Sequence, residues 1–122
     1  MRQQTKYTKG CVKMSKQLLK KVTDVLEEKK GQDIEAISVK GKCSFADYMV
    51  VVTGGSSRQV KSLANEVAMM SKKEGLIPLG VEGLDVGEWA LVDLGDIVVH
   101  VMQAKVRDQY QLEKLWTIGP DI

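Results

Sequence analysis

Apolar residues recur at helical spacing in three segments of the chain. Stripes such as Leu18, Val22 and Leu26 repeat every three or four positions, the period of a helix with one buried face. The first two stripes end in lysines shortly before a glycine, Gly31 or Gly75, which suits the C′ position of a helix. The pattern predicts helices over residues 15–30, 56–74 and 106–116.

Strand-like patterns fill the intervals between these helices. Residues 48–53 form an apolar, largely β-branched run, typical of a strand buried on both faces. The other predicted strands cover residues 33–40, 79–82, 89–93 and 96–102. The order α-β-β-α-β-β-β-α predicts an α/β fold with a mixed, mostly five-stranded sheet flanked by helices, a parallel crossover and a closing antiparallel hairpin.

The predicted hairpin has two contrasting faces. If Leu94-Gly95 is a two-residue loop, Trp89 lies opposite His100 and Leu91 lies opposite Val98. A bulge at Gly95 would instead shift the register by one residue and mix the faces. In the first register a set of small, branched residues suits packing under helices, and a larger amphipathic set is the candidate contact face. The small, branched set is Ala90, Val92, Ile97, Val99 and Val101. The amphipathic set is Trp89, Leu91, Val98, His100 and Met102. Trp89 fits an interface anchor and a cover for the core edge equally well.

Composition places the chain among single-domain globular proteins. It has 122 residues, 43% of them hydrophobic, and no apolar run near the roughly 20 residues that span a bilayer. The basic N-terminus lacks the apolar region of a secretory signal, which favours the cytoplasm. Cys11 and Cys43 do not make a disulfide framework, and one histidine cannot complete a Cys/His zinc site. No metal and no cofactor are therefore expected.

The net charge of +2 hides an uneven distribution. Residues 1–13 contain four basic side chains, no acidic ones and no periodicity, which predicts a disordered or loosely attached tail. An arm that touches RNA is the functional alternative. Residues 14–122, the predicted single domain, carry 14 basic and 16 acidic residues. A clustered basic face for sequence-specific nucleic-acid binding is therefore not expected of the domain.

Residues 54–58, Gly-Gly-Ser-Ser-Arg, offer the clearest candidate for nucleotide chemistry. They follow a buried strand and open a helix, where free N–H groups favour a phosphate. A Gly-Ser pair in this place is similar to the opening motif of nucleotidyltransferases, which also need two metal-binding carboxylates on the next strand. The expected window offers only Glu66, inside the predicted helix. A nucleotide-binding or nucleotidyl-transferring enzyme is therefore the alternative hypothesis, and a glycine turn with a helix cap is the simpler one.

The other polar candidates are equally incomplete as catalytic sites. Glu82, Asp85 and Glu88 form an acidic loop, but acidic loops between strands are usually solvated. His100 lies in an apolar strand without an adjacent Ser or Cys that would make a nucleophile–base pair. No catalytic residue is predicted.

Many short motifs occur together in an order that resembles one family. They are residues 31–34, 46–54, 56–58, 78–79, 81–83, 88–89, 92–93, 95–96, 98, 100–101, 107, 110 and 112–116. The chain resembles the ribosomal silencing factor family, also called the Iojap family, over nearly everything from Leu18 to Trp116.

The resemblance implies a non-enzymatic protein with a nucleotidyltransferase-like fold. Family members bind the large ribosomal subunit through its subunit-interface protein fourteen and block joining of the small subunit, which lowers translation when nutrients are short. Organelle relatives are associated with large-subunit assembly. A homodimer of the free protein is a further expectation, since a surface that awaits a partner exposes apolar area. The predicted partner-binding residues are Trp89, Leu91, Asp93, Leu94, Asp96, Val98 and His100.

Overall fold

A computed structural model describes residues 11–39 and 46–110 of the protein. Its elements, in chain order, are α1 (Cys11–Glu28), β1 (Gln32–Ser38), β2 (Tyr48–Gly54), α2 (Ser57–Lys73), β3 (Gly80–Glu82), β4 (Trp89–Asp93), β5 (Ile97–Gln103) and α3 (Ala104–Tyr110). The five strands form one sheet in the order β1-β2-β5-β4-β3. The predicted α/β class, element order and mixed five-stranded sheet are confirmed. The nucleotidyltransferase-like label stays a prediction.

The single parallel pairing of this sheet joins β2 to β5, with Tyr48 opposite Ile97 and Gly54 opposite Gln103. All other neighbouring strands are antiparallel. Strand β3 consequently runs in the direction of β2, as the predicted crossover through α2 requires, but at the far edge of the sheet. From β3 the chain returns toward β2, so that the β4–β5 hairpin lies between β3 and β2 in the sheet.

The two faces of the sheet bury separate hydrophobic clusters. On one face, α1 and α2 cover branched and small side chains of β2, β4 and β5, including Val50, Val92 and Val99. On the other face lies a smaller cluster of Met49, Val51, Val98 and Met102 with Val106 of α3. Strand β2 is buried on both faces, as its composition predicts.

The hairpin register differs from both predicted ones. Trp89 pairs with Met102 and Leu91 with His100, a shift of two residues from the predicted pairing. The cause is the turn, in which the N–H of Leu94 donates to the carbonyl of Ile97 at 2.9 Å, so that residues 95–96 make the tight loop. Because side chains alternate with a period of two, a shift of two leaves the predicted face sets intact.

The first helix departs from its prediction at both ends. It begins at Cys11, so residues 11–13, which were assigned to the tail, belong to α1. At its other end Lys30, with φ 67°, takes the left-handed position predicted for Gly31. Gly31 is the next residue, and its N–H donates to the carbonyl of Leu26 at 2.8 Å, as in a Schellman motif. The second half of the predicted last helix, residues 111–116, lies outside the described residues.

A close approach to β2, rather than a positive φ, explains the glycine at position 31. A Cβ atom there would lie 2.7 Å from Cγ2 of Val52 and 3.1 Å from the carbonyl oxygen of Leu26. Val52 is fully buried, and its β-branched side chain has little freedom to move aside.

We expect Gly31→Ala to lower the free energy of unfolding by about 1–3 kcal/mol, because the added methyl group overpacks the contact between α1 and β2. Gly80→Ala is the matched control, since a Cβ at Gly80 would meet nothing within 4 Å. Chemical denaturation of both variants measures the difference. Equal stability of the two would contradict the close approach.

Candidate functional site

The outer face of β4 and β5 holds the side chains that the sequence marks as a contact surface. Trp89, Leu91 and His100 are half-buried there, beside the cluster covered by α3. Val98 lies on the same face but is only 9% exposed, and Met102 is fully buried. The structure thus brings the apolar candidates together on one face and leaves three of them partly accessible.

Trp89 and His100 are joined by a direct hydrogen bond. Indole Nε1 of Trp89 donates to Nδ1 of His100 at 3.1 Å, across the diagonal of the two strands. Their rings lie 6.0 Å apart, centroid to centroid. The other side of the contact is Tyr110 of α3, whose ring lies 5.0 Å from Trp89 at an interplanar angle of 50°. The indole is therefore held between a histidine of the sheet and a tyrosine of α3.

This environment keeps the histidine neutral. Burial lowers the pKa of His100 from 6.5 to about 4, because the charged imidazolium loses its solvation. The hydrogen bond acts in the same direction, since Nδ1 can accept from Trp89 only when it carries no proton. Nε2 then bears the proton of the neutral ring. At neutral pH the site is an amphipathic, uncharged surface around Trp89.

Carboxylates lie at the tip of the same hairpin. Asp93 is half-buried, and its Oδ1 accepts from the N–H of Gly95 at 2.9 Å. Asp96 is also half-buried, and its carbonyl accepts from the N–H groups of Asp47 and Tyr48, which ties the tip to the start of β2. Asp93 thus precedes the turn and Asp96 lies within it, and hydrogen bonds accepted by both residues hold the turn in place.

Leu94 does not belong to this surface. Its side chain is only 2% exposed and packs in the cluster beneath α1 and α2. The reason is the turn geometry, which starts the loop at Gly95 and leaves Leu94 in register with the helix-covered residues. Leu94 therefore serves the core, and a partner on the outer face would not touch its side chain.

The glycine turn at residues 54–58 is occupied by its own chain. The side chain of Ser56 accepts from the N–H of Gln59 at 3.1 Å, and Oε1 of Gln59 accepts from the N–H of Gly55 at 2.6 Å. The Gln59 amide also donates to the carbonyl of Lys30 at 3.1 Å. Two donors that a phosphate would need are thus engaged in a helix cap. The cap explanation accounts for the motif better than nucleotide binding does.

The acidic loop carries solvated carboxylates. Glu82, Asp85 and Glu88 are all exposed. Within residues 11–39 and 46–110, no group of three His, Cys, Asp or Glu side chains is placed to hold a metal ion. Gly87 of this loop lies close to the start of α2, because a Cβ added at Gly87 would be 2.7 Å from the Cβ of Ser57.

Two residues of α3 lie at this site, and the sequence patterns did not assign either of them to it. Tyr110 is 53% exposed and contacts Trp89. Arg107, in the same helix, is only 8% exposed. The helical spacing of apolar residues indicates that Tyr110 can pack against the core, and both Tyr110 and Arg107 lie in the motifs that carry the family resemblance. Neither signal reveals that the arginine of α3 is buried, because burial depends on how α3 lies against the sheet.

The fold and the site define a small α/β protein with an amphipathic sheet face centred on a tryptophan–histidine pair. A family model described as "Ribosomal silencing factor during starvation" matches residues 12–122. The chain belongs to this family.

Several relatives span most of the chain. A ribosomal silencing factor of Haemophilus influenzae is 43% identical over 99 residues, which is 81% of this chain and 97% of the relative. A mouse protein named mitochondrial assembly of ribosomal large subunit protein 1 is 33% identical, over 80% of this chain and 44% of its own length. A crystal structure of a Chromobacterium violaceum protein superimposes with a TM-score of 0.82, at 44% identity and 88% coverage of each chain. The α/β fold is therefore shared with solved members of similar sequence.

The imidazole of His100 should titrate near pH 4 in the folded protein. The chain contains one histidine, so a single set of imidazole resonances followed by NMR between pH 3 and 8 measures this pKa directly. Titration near 6.5, the value of a solvated histidine, would contradict the buried hydrogen-bonded site.

The same shift predicts how stability depends on pH. Between about pH 6.5 and 4 the unfolded chain binds a proton at His100 that the folded chain does not, so stability falls as pH falls through this window. The loss is at most about 3 kcal/mol. His100→Gln, measured by denaturation at pH 7 and 4.5, should show a smaller loss than the natural sequence.

Proposed function

We propose that the protein is a translation repressor that binds the large ribosomal subunit. In this proposal it docks on the subunit-interface ribosomal protein fourteen and blocks joining of the small subunit, which lowers translation in nutrient limitation or stationary phase. Membership of the ribosomal silencing factor family supports the ribosomal role. The name of the mouse relative concerns large-subunit assembly, and an assembly role for this chain is a secondary proposal.

The observation that carries the proposal is the face around Trp89. A half-buried tryptophan with leucine and neutral histidine beside it combines apolar area with a few polar groups, the composition of an interface centre. Tyr110 extends this area, and tyrosine is also enriched at such centres. We call the set Trp89, Leu91, His100 and Tyr110, with Asp93 and Asp96 at the hairpin tip, the docking face.

The charges around the docking face suit a basic protein partner. Asp93 and Asp96 lie at the hairpin tip, and the exposed Glu82, Asp85 and Glu88 lie in the loop before β4. Carboxylates at the rim of an interface raise the association rate with a positively charged partner and oppose approach to RNA phosphates. A ribosomal protein fits this pattern better than bare ribosomal RNA.

A repressor of this kind acts by occupying the surface of the large subunit that the small subunit would contact. Binding alone blocks a subunit interface, so the function needs no catalytic group, metal or cofactor. No helix in the described parts of the chain is long and apolar enough to cross a membrane. We propose a cytoplasmic location, and a homodimer of the free protein that covers apolar area until the ribosome is met.

Sedimentation with isolated large subunits tests the proposal, and Trp89→Ala tests the docking face. We expect the natural protein to sediment with large subunits and to reduce their joining with small subunits. Trp89→Ala should weaken binding about thirtyfold or more, because truncating a central interface tryptophan typically costs 2 kcal/mol or more.

Met69→Ala is the matched control for this experiment. Met69 is 54% exposed on α2, which packs on the opposite face of the sheet. Its removal should leave binding unchanged. Natural protein that does not travel with large subunits would contradict the function, whereas normal binding by folded Trp89→Ala protein would contradict only the docking face.

Asp93→Asn should slow association with large subunits several-fold at low salt and have little effect at high salt. Asparagine can still accept the hydrogen bond from Gly95 but lacks the charge that attracts a basic partner. Glu35→Gln, an exposed change on the far edge strand β1, is the control. Rapid mixing at two salt concentrations measures the rates, and equal rates for the two variants would argue against steering by the hairpin tip.

A further inference from the structure

Arg107 carries a positive charge into the interior of the domain, where the other buried side chains of the described residues are apolar except for Thr53 and Ser71. It is 8% exposed, and its Nη1 donates to the backbone carbonyl of Asp33 at 2.6 Å and to Oγ1 of Thr53 at 2.9 Å. Burying a guanidinium is costly unless its donors find acceptors. These acceptors must therefore stay in place for α3 to lie where it does.

The two acceptors belong to different strands at one end of the sheet. Thr53, 4% exposed, is near the end of β2, and Asp33 lies in β1 where the ladder is irregular between Gln32 and Glu35. Asp33 also has φ 49°, a conformation uncommon for a residue other than glycine. The arginine thus ties α3 both to the carbonyl of Asp33 in β1, a residue with an uncommon backbone conformation, and to the side chain of Thr53 in β2.

The placement of α3 in turn sets one wall of the docking face. Tyr110 is three residues beyond Arg107, the spacing of neighbours on a helix surface, and its ring packs against Trp89 at 5.0 Å. Arg107 itself is buried and does not reach the exposed surface. Any effect of Arg107 on a partner therefore passes through the position of the helix.

We propose that Arg107 is a positioning residue for partner binding, which fixes α3 so that Tyr110 and Trp89 present one continuous surface. This inference rests on the proposed function, since it concerns the same docking face. A planar guanidinium fits the role because the two N–H groups of Nη1 point in fixed directions toward the two acceptors, whereas the N–H groups of a lysine ammonium rotate freely on a flexible stem.

Arg107→Lys tests the inference, because it keeps the charge and loses the fixed N–H directions of the guanidinium. If lysine holds α3 in place in about a tenth of the molecules, large-subunit binding weakens about tenfold. The indole N–H resonance of Trp89, assigned by its loss in Trp89→Phe, should shift in NMR spectra of the folded variant without ribosomes. A role limited to overall stability would alter the melting temperature and leave both readouts unchanged.

Lys105→Gln is the matched control, since Lys105 is an exposed cation on the same helix. It should change neither binding nor the indole resonance. If Arg107→Lys does not fold, Thr53→Val removes one acceptor at nearly constant volume, and it should shift the same resonance and weaken binding in the same direction. A resonance and an affinity unchanged in the folded variant would overturn the inference.

A double variant separates positioning from an independent effect. In a Tyr110→Ala background, Arg107→Lys should weaken binding no further, because the wall it positions is already gone. Additive losses would overturn the inference and leave the proposed function intact. Failure of the natural protein to bind large subunits would instead overturn the proposed function, and the inference with it.

Discussion

The parallel pairing of β2 with β5 is the constraint on which the rest of the structure depends. These strands are nearly 50 residues apart in the chain, yet they share a ladder from Tyr48 and Ile97 to Gly54 and Gln103. The pairing brings the β4–β5 hairpin to the middle of the sheet and fixes which side chains lie beneath α1 and α2. Since β2 is buried on both faces, both hydrophobic clusters form around it.

The two faces of the sheet are covered unequally by the described residues. Within the described residues, two long helices close one face and α3 covers part of the other, where Trp89 and His100 are half-buried. Partial burial is enough to keep the histidine neutral and to orient the indole through a hydrogen bond. The amphipathic face around Trp89 follows from the same packing that stabilises the fold.

Sequence patterns succeeded where the information is local. Of the two registers left open for residues 89–102, the one with a two-residue loop at Leu94-Gly95 gives the face sets found in the structure, because the observed pairing differs from it by two residues and side chains alternate with a period of two. The register itself was wrong because the hydrogen bond between Leu94 and Ile97, together with the burial of Leu94, moves the loop to residues 95–96. The sequence predicted Gly31 as the residue that ends α1, but glycine is needed there because an added Cβ would lie too close to Val52 of β2.

The sequence by itself determined the element order and the burial of β2, because each follows from the pattern of apolar residues along one segment. Only the tertiary structure decided that Leu94 is core and that Arg107 of α3 donates to Asp33 and Thr53. These facts join residues that are distant in the chain, such as Arg107 and Asp33. Hydrogen bonds and burial of this kind depend on how the elements pack, which a one-dimensional pattern does not encode.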